Sequence, residues 1–215
     1  MRAWATMFEE FLASRGARAP YTEADYFEHV DGRPRYDGVR AVLVSRGLEL
    51  PEGEDADPGD QDRGQETVRG LGNRKNDLVL ELLRKDGVAP YPGTVTYLDS
   101  LGAGARLAIV SSSRNAEEVL ASAGLRDRFE HVVDGKVAAA EQLPGKPAPD
   151  TFLRAAALLG VDPADAVVYE DAGSGVAAGA AGGFGAVVGV DRGAGREQLA
   201  AAGASLVVAD LEELA

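Results

Sequence analysis

The stretch Ala166–Gly179, AVVYEDAGSGVAAG, decides the fold. An apolar run of strand character ends in two adjacent carboxylates, Glu170 and Asp171, and a glycine- and alanine-rich segment follows at once. A continuous apolar strand suits a parallel sheet covered on both faces, because an exposed face would alternate with polar residues. In such a sheet, ligands sit beyond the carboxyl ends of the strands. Two neighbouring anions repel, and burying either one unpaired is costly. The pair therefore calls for a cation. A hard, oxygen-seeking ion such as Mg²⁺ takes one or two protein carboxylates and keeps several waters. The plainer reading is a pair of acids at a helix N-terminus.

The same alternation runs outward on both sides. Residues 94–105 read as a helix ending in glycines, 106–112 as a strand, 115–125 as a helix capped by Asn115, and 129–135 as a short strand. A helix over 148–160 has proline at its start and glycine at its end. After the strand 166–170 come a small-residue helix at 174–183, a strand at 186–190, a helix at 196–203 and a strand at 205–209. Strands alternating with helices over short connections predict an α/β parallel sheet whose strands are buried on both faces.

The front of the chain differs. It is mostly helical, at Ala3–Ala13, Val39–Ser45 and Thr67–Lys85, with an acidic loop rich in Pro, Gly and Asp over 49–64. The expected organisation is a helical domain over 1–88, a hinge at Tyr91–Gly93, and an α/β domain over 89–215. The 215 residues are 45% hydrophobic, so a substantial core can form. A net charge of −13 argues against nucleic acid and against an anionic membrane surface. With no cysteine, disulfides, thiolate zinc sites and cysteine nucleophiles are excluded. Two histidines, His29 and His131, leave little for a histidine-rich metal site. No apolar run reaches membrane-spanning length and no signal-peptide core stands at the front, so a soluble cytoplasmic protein is expected.

Two further strand ends carry polar groups. Ser111–Asn115, SSSRN, offers hydroxyls and backbone N–H groups at the start of a helix, which suit a phosphate or simply cap the helix. Lys146 lies between a glycine and a proline in LPGKPAPD, Leu143–Asp150, pinned on a short loop where it could offer a point charge to a phosphoryl group or be an ordinary solvated lysine. Hydroxyls, a lysine and an acid pair at strand ends of one sheet converge on one crevice, where a phosphate needs donors and its metal needs carboxylates. The segment 173–179 looks like a dinucleotide-binding glycine loop, but the two acids before it would repel a pyrophosphate. Its small residues are better read as letting the helix pack close to the sheet. Ser174 is not in a G-x-S-x-G elbow, which disfavours a serine hydrolase.

These three segments resemble, in order and spacing, the second, third and fourth motifs of the haloacid dehalogenase-like hydrolases, most of all their β-phosphoglucomutase-like branch. The resemblance covers essentially the whole chain and implies a Rossmann-like core with an N-terminal helical cap. It implies that Ser111 bonds the transferring phosphoryl group with help from the Ser112 backbone. Ser113 and Asn115 complete the phosphate contacts, Lys146 neutralises the phosphoryl group and nucleophile, and Glu170 and Asp171 bind Mg²⁺ directly or through water. In the helical part, DGRPRYDGV and GNRKND resemble the cap's two specificity segments, which would bring Arg35, Lys75 and Asn76 to the distal end of a small sugar phosphate. Each of the two cations is otherwise a solvated surface residue.

One departure stands out. The family begins with a central strand that runs into a D-x-D pair, whose first aspartate is the nucleophile and whose second is the general acid/base. The present chain opens on MRAWATMFEEF, which resembles the first cap helix. Without that carboxylate the aspartyl-phosphate route is closed, and strands 106–112 and 166–170 would flank a gap. A longer natural chain, an inactive truncation and a strand donated by a partner are the alternatives. The expected chemistry is phosphoryl transfer on a sugar phosphate, as mutase or phosphatase, with a non-catalytic sugar-phosphate-binding or regulatory protein as the other reading.

Overall fold

The computed structural model describes residues 1–16, 19–57 and 66–215. They divide into two compact units, Met1–Gly87 and Val88–Ala215.

The first unit is helical. Helix α1 (Arg2–Ser14) spaces Trp4, Met7, Phe8, Phe11 and Leu12 so that they fall on one face, and all five are buried. They pack with Val39, Val42 and Leu43 of α3 (Arg35–Ser45) and Val68 and Leu71 of α4 (Val68–Asp86). Trp4 stacks on Phe8, and Phe8 on Tyr21. Between α1 and α3 the chain makes a helical turn, α2 (Glu23–Asp25), that runs straight into a π-turn over Tyr26–Val30. Neither was expected. Thr22 starts this stretch with a capping box: its hydroxyl accepts from the Asp25 N–H while the Asp25 carboxylate accepts from the Thr22 N–H. The acidic loop is more than a solvated connection. In its described part, Glu52 pairs with Arg40 and Asp55 with Arg69, while residues 58–64 lie outside the described residues.

The second unit alternates strand and helix. Its elements are α5 (Pro92–Ser100), β1 (Ala108–Val110), α6 (Ala116–Ser122), β2 (His131–Val133), α7 (Gly135–Ala140), α8 (Asp150–Leu159), β3 (Val167–Glu170), α9 (Gly173–Ala181), β4 (Ala186–Val190), α10 (Arg196–Ala201) and β5 (Leu206–Val208). Every strand pair is parallel: Ala108 opposite His131, Val168 opposite Val187, and Gly189 opposite Val207. Phe152, Val168, Val176, Val187, Leu199 and Val207 form the main core, with Val110 packed against it. Helix α7 was not expected; Asp134 starts it by accepting from the N–H groups of Lys136 and Val137.

Among the described residues the strands form two sheets, β1–β2 and β3–β4–β5, with no ladder from β1 to β3. This corrects the expectation that the strands are buried on both faces. Val167 and Tyr169 of β3 are exposed, and β1 is only half-buried throughout, whereas β4 is buried over Val187–Val190. The reason is position. β4 has a strand on each side, and β1 and β3 each have one unpaired edge.

Candidate active site

β3 delivers Glu170 at its carboxyl end, and the connection from α7 to α8 delivers Lys146. The two meet: Lys146 Nζ donates to Glu170 Oε1 at 2.5 Å. Their side chains are only 5% and 11% exposed, so each ion is the other's compensation for lost water. The solvated-lysine reading is overturned. Lys146 Nζ also lies 4.8 Å from the centroid of the Phe152 ring, so an aromatic face seats the ammonium from the α8 side. The peptide bond from Lys146 to Pro147 is cis. Glu170 Oε2 accepts from the Asp171 N–H at 2.9 Å, which ties both carboxylate oxygens.

Ser111 follows β1 and continues its pairing, its N–H donating to the carbonyl of Val133. Its hydroxyl accepts from the Ser113 N–H, and the Ser113 hydroxyl accepts from the Asn115 N–H. The serine segment is thus a pair of consecutive side-chain-closed turns. Asn115 occupies the N-cap position of α6, but its side chain makes no capping bond there and is buried, which corrects the capping expectation. The structure joins Lys146 to Glu170 directly. It places Ser111 one residue beyond Val110, which packs against the cluster holding Phe152 and Val168. Ser111's own bonds run to its loop and to β2.

A second polar cluster stands in the helical unit. Arg35 is the first residue of α3, and Lys75 and Asn76 lie on α4. Arg35 donates to Asn76 Oδ1 at 2.6 Å and to Asn73 Oδ1 at 3.3 Å. Lys75 sits 4.8 Å from the Trp4 ring centroid. Burial, together with the nearby Arg35 charge, lowers its ammonium to about 8. All three expected residues are therefore brought together. Sequence reasoning missed Asn73, which also accepts from the Tyr36 hydroxyl. The available signal was its spacing of three from Asn76, which puts both amides on one helix face.

The donors at β3 suit magnesium chemically: two carboxylates and no soft ligand. Among the described residues no group of three or more potential ligands forms a complete metal site. The pair fits the protein's share of a Mg²⁺ shell that water and a phosphate would fill. Among the described residues, no helix is long and apolar enough to cross a membrane.

Comparison with known proteins gives the family and the fold. The haloacid dehalogenase-like hydrolase family model matches residues 2–183. A β-phosphoglucomutase of Mycobacterium bovis is 50% identical, over 99% of this chain and 84% of that protein. A fructose-1-phosphate phosphatase of Escherichia coli is 40% identical, over 54% of this chain and 60% of its own length. In fold, the chain is similar to the crystal structure of a β-phosphoglucomutase from Clostridium difficile, with a TM-score of 0.77 at 21% identity, covering 100% of this chain and 86% of that one. The chain belongs to the haloacid dehalogenase-like hydrolases, in their β-phosphoglucomutase-like branch of phosphatases and phosphomutases.

Proposed function

We propose that the chain carries the site of a Mg²⁺-dependent phosphoryl transfer on a small sugar phosphate, as a β-phosphoglucomutase-like enzyme before a phosphatase. The observation that carries the reading is the buried Lys146–Glu170 pair beside Asp171 at the carboxyl end of β3. A lysine so fixed is a point charge for a phosphoryl group at the same place as the carboxylates its metal would use. When bound, the ion would neutralise charge on the transferring phosphoryl oxygens. Glu170 and Asp171 would hold it. Ser111 would bond the phosphoryl group, with Ser112, Ser113 and Asn115 around it. Arg35, Lys75 and Asn76 in the helical unit would bind the phosphate that is not transferred, as a cap does in such enzymes. A second phosphate contact is what a mutase needs to hold a substrate with phosphate at both ends, and this inclines the reading toward the mutase.

The proposal includes that these 215 residues bind the sugar phosphate without turning it over. Glu170 is already tied to Lys146 and to the Asp171 N–H, which leaves it poorly placed to attack. Among the described residues β1 pairs only with β2 and β3 only with β4, so each has an edge to which a further strand could pair. The test compares this chain with one extended upstream, measuring Mg²⁺-dependent phosphate release from glucose 1-phosphate and its isomerisation. Activity in the extended chain alone is expected, and equal activity in both would sink the account of the nucleophile. Calorimetric binding of glucose 1-phosphate with no turnover by either chain would favour the non-catalytic binding protein.

A further inference from the structure

Gly175 lies in the first turn of α9, five residues after Glu170, among the glycines that sequence reading gave to close helix–sheet packing. The structure divides those glycines by role. A Cβ on Gly179 would meet Val187 at 3.1 Å and Val168 at 3.2 Å, so Gly179 faces the sheet as expected. A Cβ on Gly175 would not meet the valines of the sheet first. It would fall 1.6 Å from Glu170 Oε1, 2.2 Å from its Cδ and 2.3 Å from its Cγ. The Glu170 carboxyl group therefore occupies the space that any side chain at position 175 would need.

The atom most in conflict is also the atom that matters. Oε1 is the oxygen that accepts from Lys146, while Oε2 is held by the Asp171 N–H. A glutamate side chain is flexible, so a methyl group at 175 would not break the helix. It would swing the carboxyl group aside, and both bonds would be lost together. Alanine would at the same time favour α9 itself, because glycine is the poorer helix former. The two effects have opposite sign and can be separated.

We infer that Gly175 is a positioning residue: its missing side chain is the seat that holds the Glu170 carboxylate against Lys146, and so in place for the cation. The metal part rests on the reading proposed above, and the positional part does not. The test is a double-mutant cycle followed by chemical denaturation. In the parent chain, Gly175→Ala should lower the unfolding midpoint. In a Glu170→Ala background the same change should raise it or leave it unmoved, because the displaced group is gone. If Gly175→Ala alone fails to fold, the double variant should fold. An equal drop in both backgrounds overturns the inference.

The second readout is Mn²⁺ binding, followed by electron paramagnetic resonance on the 215-residue chain. Gly175→Ala and Glu170→Ala should each weaken it at least tenfold. Weakening by Glu170→Ala with full affinity in Gly175→Ala overturns the positioning role. Unchanged Mn²⁺ affinity in both variants overturns the metal reading of Glu170, and the cycle still decides the role of Gly175.

Discussion

Each unit seats one lysine against an aromatic ring, and the two seats differ in what completes them. Lys146 in the α/β unit and Lys75 in the helical unit each lie 4.8 Å from a ring centroid, that of Phe152 and that of Trp4. Lys146 is paired with Glu170. Lys75 has a guanidinium for a neighbour, and among the described residues no carboxylate lies within ion-pair distance of it. The contrast teaches that the two cations are prepared for different work. Lys146 is locked in a charge-balanced pair at a fixed place. Among the described residues Lys75 has no carboxylate to balance its charge, and under the proposed function an incoming phosphate would supply that balance.

The sharpest way to break the contrast is to strip each lysine's surroundings. Lys146→Met leaves the Glu170 carboxylate buried without its cation, and should cost about 3 kcal/mol of unfolding free energy, as expected for half of a buried ion pair. Lys146→Met with Glu170→Gln should recover most of that loss, because no uncompensated charge remains. Denaturant titration measures both. Equal losses in the single and double variants would mean that packing against Phe152, and not pairing, sets the cost.

Lys75 answers to pH instead. Burial and Arg35 hold its ammonium down to about 8, from an ordinary value of 10.5. Between those values the unfolded chain binds more protons than the folded one, so the contribution of this group to stability rises with pH across that window. Phosphate binding has the opposite dependence, since it needs the ammonium. Affinity for glucose 1-phosphate should hold below about pH 8 and then fall by up to about tenfold per pH unit as the charge is lost. In Lys75→Arg the profile should stay flat over the same range. A flat profile in the parent chain would remove Lys75 from the binding cluster.

How much of this was legible in the sequence follows from the range of each interaction. β4 and β5 were readable as apolar runs, and α8 from its proline and glycine punctuation, because those signals are local. The exposure of Val167 and Tyr169 was not, because it depends on whether β3 has a neighbour on that side. Lys146 and Glu170 stand 24 residues apart and Arg35 and Asn76 stand 41 apart, distances at which spacing says nothing. The positions at strand ends of one sheet brought Lys146 and Glu170 to one crevice, and only the resemblance of whole motifs joined Arg35 to Asn76. The Glu23–Val30 stretch and α7 were missed because each is too short to show a helical period. Asn115 misled because the residue type suits a cap, while its buried side chain makes no capping bond.

The helical unit also has its own version of the buried pair. Asp25 is buried and accepts from Arg46 Nη2 at 2.7 Å and from the Thr22 hydroxyl and N–H at 2.8 Å each. Burial pushes its carboxyl up, but those bonds outweigh it and leave the group below its ordinary value. A depressed carboxyl stabilises above its unfolded value and loses that contribution as pH falls through the folded one. Asp25→Asn should therefore cost about 2 kcal/mol near neutrality, as for hydrogen bonds to a charged group. The gap between variant and parent should close as the pH is lowered below the carboxylate range. A gap that persists in acid would assign the cost to lost packing.

The smallest effect tests whether the cluster around Lys75 depends on how α4 begins. Thr67 stands at the N-cap of that helix, where its hydroxyl accepts from the Gly70 N–H at 2.9 Å and donates to Asp57 Oδ2 at 2.7 Å. Asn73 closes the same corner one turn later, its amide donating to the carbonyls of Asp55 and Asp57. Thr67→Ala removes one of these two ties and should cost about 1 kcal/mol, the usual value for a lost N-cap. Because Asn73 still holds the segment and still accepts from Arg35, affinity for glucose 1-phosphate should change less than the stability does. If the affinity instead falls in step with stability, the start of α4 governs the cluster. Lys75 would then be positioned by its helix in the way that Lys146 is positioned by its carboxylate.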